Sequence, residues 1–456
     1  MTPKHVRAKF VRRRRGRVLG RIAAWGDSLR ESFYFFPLVL SVLAAVLAFV
    51  VIEVDHGLPA DWIDRHPALR AADADGTRAL LSAIVGSMIT VTGVVFSITI
   101  VALTLTSQQF GPRLLRNFVR DRGNQLFLGT YVATFLYSLI VLRAVRQDSV
   151  PHLASALAVV LAIVSGFVLI WFVHHTATSI QASSIIATVA REIDAQLEHF
   201  DEVKGDVHDD ACVDDETRAS WPPSCREVRA TETGYVRLVA IEELVESAAK
   251  YDAVFELTCR PGDFVASGAS IARLHTARPL ADDVLPDEVL EAILIGDQRT
   301  ALQDLRFLLG QLVEIAVRAL SPGINDPATA IACIERLGAS LARLAQRSFE
   351  DTTHEGPDGR LRVVAPCADF AEHTGLAFDS IRHYGAGDTR VVLALLHAFE
   401  VALTATEDVV RRAILVGHVE EVRAAWLAAG NRSAHDEAAV SRAVRSALGP
   451  GSGSAA

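Results

Sequence analysis

The chain has 456 residues, half of them hydrophobic, with a mean hydropathy of +0.28 and a formal net charge of −9. That length allows two or three folding units, and that hydropathy excludes an ordinary water-soluble chain with one core. The charge is uneven: residues 1–30 hold ten Lys or Arg against a single acid, Asp27, so the remainder is strongly acidic.

The N-terminal segment 1–32 contains Arg12–Arg15 and Arg17, and directly after it Phe33–Ile52 runs without a charge. A basic run beside an apolar run of this length reads as the positive-inside flank of a membrane span and not as a nucleic-acid arm. Three more uncharged runs follow, at Ala79–Phe110, Leu126–Leu142 and Leu153–Val173. A hydrocarbon core ~30 Å thick needs about 20 helical residues. The four runs therefore predict a transmembrane domain over 33–175, with spans at about 33–52, 79–106, 125–142 and 153–174. The loop after the first span is acid-rich, whereas residues 111–124 carry Arg113, Arg116, Arg120 and Arg122. That alternation places the N-terminus, this loop and the C-terminal region in the cytoplasm. The first run is too long for a signal-peptide core, so a cleaved leader is not expected.

The second span carries the unusual chemistry. On helical geometry Ser82, Gly86, Thr90, Gly93, Ser97 and Thr104 fall on one arc, and Thr92, Thr99 and Thr106 form a second seam spaced by sevens. Lipid has no need of either seam. Small residues and hydroxyls suit close helix packing, with the hydroxyls returned to their own carbonyls; alternatively one seam packs and the other lines a wet, neutral path. At the cytoplasmic mouth stand Gln108 and Gln109, then Gly111–Pro112 and the basic amphipathic stretch with Arg113, Arg116 and Arg120. This stretch suits an interfacial anchor, or, in an oligomer, a ring favouring anions.

Residues 176–205 continue at helical spacing, with Ile180, Ile185, Ile186, Val189, Ile193 and Leu197 in stripe, and predict one unbroken helix from the fourth span into a connector. An acidic linker over 206–230 follows; its His208 and Cys212 have no metal-ligand spacing. The segment 231–285 reads as a small β-rich module, and its Gly262 and Gly268 turns resemble the hammerhead of biotinyl and lipoyl domains. No lysine occurs between 251 and 456, so a carrier role is excluded. Residues 286–448 read as a helical domain interrupted by one strand, RLRVVAP, after which three helices begin near Ala368, Thr389 and Glu407; residues 449–456 form a Gly/Ser tail. Within the helical domain, RALSPGINDPATA presents Arg318, Asn325, Asp326 and Pro327. Gly323 suits a left-handed cap, Asn325 or Asp326 the next N-cap, and Pro327 the first helical position. Local turn chemistry explains most of this stretch, and an interface or ligand contact is the other reading.

Two stretches, SQQFGPRLLRNFVRDRGNQLFLGTYVATFLYSL and DLRFLLGQLVEIAVRALSPGINDPATA, resemble the uncharacterised bacterial membrane-protein family called domain of unknown function 2254. The resemblance implies a multi-pass protein of the bacterial inner membrane and lends nothing to catalysis. The residues themselves offer no nucleophile elbow, P-loop, zinc-protease or dinucleotide motif, and no charge inside a span. No enzyme activity, cofactor or metal is expected. The fold class expected is thus four transmembrane helices followed by an α+β cytoplasmic region. Its partners are the lipid bilayer, further copies of itself and a cytoplasmic protein. The role expected is an oligomeric channel or passive transport protein gated by its cytoplasmic region; the alternative is a non-conducting sensor or scaffold that binds a partner protein.

Overall fold

The computed structural model describes residues 35–57, 73–110, 122–147, 149–179, 181–203, 218, 221–277, 286–347, 352–430 and 433–449, the side chains of 106–110, 199–203, 286 and 352 excepted. The chain divides into two compact units, Met1–Gln181 and Ala182–Ala456.

Among the described residues the first unit has four helices: α1 (Phe35–Gly57), α2 (Ala74–Phe110), α3 (Arg122–Ala144) and α4 (His152–Ser179). All four are long and apolar enough to cross a membrane. The third is the hub and packs against each of the other three. A helix screened from lipid by neighbours can carry polar groups if they find partners, and α3 does so. Thr134 and Ser165 share a hydroxyl–hydroxyl hydrogen bond of 2.9 Å. The Tyr131 hydroxyl donates to the Ser165 carbonyl at 3.0 Å, and that of Tyr137 to the Ala154 carbonyl at 3.1 Å. At the other end of α1, Asp55 accepts from the Ala154 N–H at 2.9 Å, placing an acid at the positive end of α4.

The fourth helix stops at Ser179 and a new one, α5 (Ala182–Val203), begins three residues later. The unbroken helix expected from the apolar stripe is therefore corrected. The Thr178 hydroxyl bonds back to the His174 and His175 carbonyls, and the Gln181 N–H turns onto the Thr178 carbonyl. The stripe itself survives in α5, where Ile186, Val189, Ile193 and Leu197 are buried against α8 (Leu305–Ala319) and α9 (Pro327–Leu344). The connector is thus part of the second unit's core.

The rest of that unit joins two small sheets to a helical layer. Strands β1 (Ser224–Arg229), β2 (Gly234–Val239), β3 (Ala253–Leu257), β4 (Phe264–Val265) and β5 (Ser270–Thr276) are followed by β6 (Ile293–Gly296), β7 (Thr352–Glu355) and β8 (Leu361–Ala365). They order as β1-β5-β3-β8-β7 and β4-β2-β6. Helix α6 (Ile241–Tyr251) and the short α7 (Pro286–Ala292) cover them, with Leu244, Phe255, Ile271 and Leu274 fully buried. Three expectations change here. Ser224–Arg229, read within the acidic linker, is an edge strand; Ile293–Gly296, read as helical, is a strand; and the β-rich segment completes its sheets only with β1, β6, β7 and β8 from outside 231–285. The decisive pairing is parallel, Phe255 with Val363.

Four more helices follow among the described residues: α10 (Phe370–Gly385), α11 (Thr389–Ala405), α12 (Val409–Ala429) and α13 (Ala434–Leu448). The sequence pattern predicts three; the additional break falls at Gly430, whose backbone is left-handed in φ, at +70°, which ends a helix readily in glycine. Asp369, Asp388, Asp408 and Ser433 each cap the helix that follows. Helices α9 and α11 meet at Gly338, where an added Cβ would stand 2.7 Å from the Ala398 Cβ. Gly338→Ala is expected to destabilise this unit by about 1–3 kcal/mol through overpacking, measured as a lowered thermal midpoint of the detergent-purified chain.

Candidate functional site

The hydroxyl-bearing helix α2 buries Leu81, Ile84, Met88, Val95 and Ala102 within the four-helix unit. These positions recur at helical spacing, so the opposite face is turned outward. Ser82, Gly86, Thr90, Gly93, Ser97 and Thr104 all lie on that exposed face, while Thr92 and Thr99 are half-buried. The exposed hydroxyls bond to carbonyls one turn back: Thr90 to Gly86 at 2.8 Å, Ser97 to Gly93 at 3.0 Å and Thr104 to Ile100 at 2.9 Å. Thr92 does the same to Met88 at 2.7 Å. A Cβ added at Gly86 or Gly93 would meet nothing within 4 Å, so among the described residues no neighbouring helix packs closely on these two glycines of the first seam. The backbone of Thr106, Gln108 and Gln109 belongs to α2, but their side chains, and all of Arg113, Arg116 and Arg120, lie outside the described residues.

The loop between α8 and α9 is organised by its acid. Asp326 caps α9, accepting from the Thr329 N–H at 3.2 Å and the Thr329 hydroxyl at 2.6 Å, with Pro327 in the first turn. The Thr329 hydroxyl and then its N–H hold the Asp326 carboxyl below its ordinary pKa. The left-handed residue is Asn325, at φ +49°, and not Gly323 as the turn pattern suggested. Asparagine tolerates that conformation better than other side chains, and the loop closes through the Asp326 N–H onto the Ala319 carbonyl at 2.7 Å. Asn325 is exposed, and Arg318 pairs within α8 to Glu314 at 3.3 Å. These four residues share a loop and two helix ends, without converging on one point.

Sequence reasoning missed a charge network at the junction of sheet and helices. Arg260, ahead of the Gly262 turn, pairs in bidentate fashion with Glu372 in the first turn of α10, at 2.8 and 3.1 Å. Arg306 reaches Glu372 at 2.9 Å, Asp263 at 2.8 Å and the Pro261 carbonyl at 3.0 Å. Arg299 pairs with the buried Asp304 at 2.6 Å, and Asp304 caps α8 through the Phe307 N–H. The RPGD turn at 260–263 was the available signal, but its partners lie more than 40 residues away in the chain. The network's charges answer one another; it is a brace between layers.

Four apolar helices long enough to cross a membrane, followed by a unit mixing helix and sheet, mark the chain as a membrane protein. The chain belongs to the family described as predicted membrane protein DUF2254, which matches residues 30–401. Among its relatives are uncharacterised proteins of Mycobacterium bovis and Mycobacterium tuberculosis, 34% identical over 352 residues. The match covers 75% of this chain and 66% of those relatives, just under two thirds of their length. No solved structure matches.

Proposed function

We propose that this protein is an oligomeric channel or passive transport protein of the bacterial inner membrane, assembled through the outward face of α2. The observation that carries the reading is that face: small and hydroxyl residues in register, turned away from the described helices of its own chain. Lipid gains nothing from them, whereas a second copy of α2 gains close approach. Hydroxyls already bonded to their own carbonyls retain lone pairs and line a path that is polar without being charged. In this reading both chain ends are cytoplasmic, and the second unit, with its hammerhead-like turns, regulates the path.

The test has two arms. Cysteine placed at Ser97, after replacement of the five native cysteines, is expected to cross-link between copies in native membranes, and cysteine at Ala102 on the inward face is not. Purified protein in planar bilayers is expected to conduct, with Ser97→Leu lowering conductance about tenfold, equivalent to about 1.4 kcal/mol on the barrier. A cross-linked but silent protein rejects the channel and leaves the non-conducting scaffold, in which the second unit binds a partner protein. Absence of cross-linking at Ser97 rejects assembly through α2.

A further inference from the structure

Helices α10 and α12 cross with an unusual group of side chains between them. Asp379 and Arg382 come from α10, and His418 and Glu421 from α12, one turn apart on each helix. His418 Nδ1 lies 3.7 Å from Asp379 Oδ1 and 3.6 Å from Glu421 Oε2. Both separations are too long for hydrogen bonds. They are close to the ~3.3 Å between neighbouring ligands of a tetrahedral ion whose bonds are ~2.0–2.1 Å. One ligand atom from each of the three residues fits within a span of 4.8 Å.

The imidazole is also held in place. Its ring stacks on Phe399, with centroids 5.5 Å apart and planes 12° from parallel, and its side chain is only 14% exposed.

Arg382 contacts the same two carboxylate oxygens, Asp379 Oδ1 at 3.3 Å and Glu421 Oε2. One guanidinium leaves two carboxylates with a net negative charge, which a divalent ion would cancel. The Arg382 side chain is 22% exposed, so its charged end meets solvent beside the two carboxylates.

We propose that Asp379, His418 and Glu421 form a binding site for a divalent transition-metal ion of the zinc class, with Arg382 as its competing cation. One imidazole nitrogen and two carboxylate oxygens suit zinc and its borderline neighbours better than magnesium or calcium, which favour all-oxygen sets. Three protein ligands leave a coordination position open. The ion would tie α12 to α10, and so fasten the helices beyond residue 401, where the family match ends, to the matched part of the chain. The sequence signal is His418-x-x-Glu421, an i,i+3 pair on one helix face, whose third member only the fold supplies. This inference is independent of any conducting role.

The test uses the full-length, tag-free chain in detergent, titrated with Co²⁺ as a visible probe and with Zn²⁺ as its competitor. Wild type is expected to bind one equivalent of Co²⁺ with visible ligand-field bands that Zn²⁺ bleaches. His418→Ala and Glu421→Gln should each weaken binding by at least about tenfold, and Arg382→Gln should tighten it by about tenfold. Glu421→Gln preserves shape, and an unchanged near-ultraviolet dichroism spectrum separates lost ligation from lost fold. Binding that is absent in wild type, or that persists unchanged in folded Glu421→Gln and His418→Ala, overturns the site. Weaker binding in Arg382→Gln overturns the competition.

Discussion

Gly262→Ala is expected to destabilise the second unit by about 4 kcal/mol, more than Gly338→Ala. Gly262 sits at φ +91°, where an L side chain costs about 1–2 kcal/mol. The added Cβ would also stand 2.0 Å from Asp304 Oδ2. That carboxylate cannot retreat freely: its side chain is 2% exposed, pairs with Arg299 and caps α8. Displacing it forfeits an N-cap worth about 1 kcal/mol and loosens a buried ion pair. The turn is further fixed by the Gly262 N–H, which donates to the Val236 carbonyl at 2.7 Å. For a unit of this size the loss corresponds to a thermal midpoint lowered by roughly 10 °C. A shift of only a degree or two, followed by near-ultraviolet dichroism of the purified chain, would refute the account of the turn.

Arg306→Ala should cost about 2–3 kcal/mol, and the loss should depend on pH. The Arg306 side chain is 14% exposed and stands among Asp263, Asp304 and Glu372. Removing it leaves three carboxylates facing one another with Arg260 and Arg299 alone to balance them; the partial exposure of Glu372 screens the effect and keeps the figure modest. Burial works against the ionised form of Glu372, but the hydrogen bonds and charges of Arg260 and Arg306 outweigh it, so its pKa lies below the ordinary 4.5. A carboxylate with a depressed folded pKa stabilises the fold above its unfolded value and loses that contribution as pH falls through the folded value. The gap between wild type and Arg306→Ala is therefore full at neutral pH and closes as the pH drops below about 4.5. Arg306→Lys should not restore wild-type stability, because one ammonium cannot reach Glu372, Asp263 and the Pro261 carbonyl together. A gap that stays constant from neutral to acid pH would show that the carboxylates are not what Arg306 holds.

The lettering of the chain carried the membrane helices well, because their signal is local. Twenty uncharged apolar residues have few other homes, and the helices at Phe35–Gly57, Ala74–Phe110, Arg122–Ala144 and His152–Ser179 fall on the four runs. An N-cap at Asn325 or Asp326 with Pro327 behind it was equally legible, and the contact of Asp326 with Thr329 three residues on selects Asp326. Gly323 misled because two residues in the same turn, Gly323 and Asn325, suit a left-handed backbone, and the closing bond from Asp326 to Ala319 selects the second. Ser224–Arg229 was hidden because edge strands are short and polar; β5 makes it a strand.

What the sequence determined by itself is the division of labour along the chain: apolar rods first, a mixed helical and sheet unit after them, and the small-residue stripe on the second rod. What only the tertiary structure decided is which surfaces meet. Phe255 finds Val363, Arg260 finds Glu372, and Asp379 finds His418 and Glu421 across different helices. Likewise the direction of the Ser82–Thr104 stripe, outward from its own bundle, follows from the burial of Leu81, Ile84 and Met88 on the other side. Hydropathy and capping act over a few residues and are written in neighbouring letters. Pairing across more than 30 residues is chosen by the whole fold's packing, and no short stretch contains it.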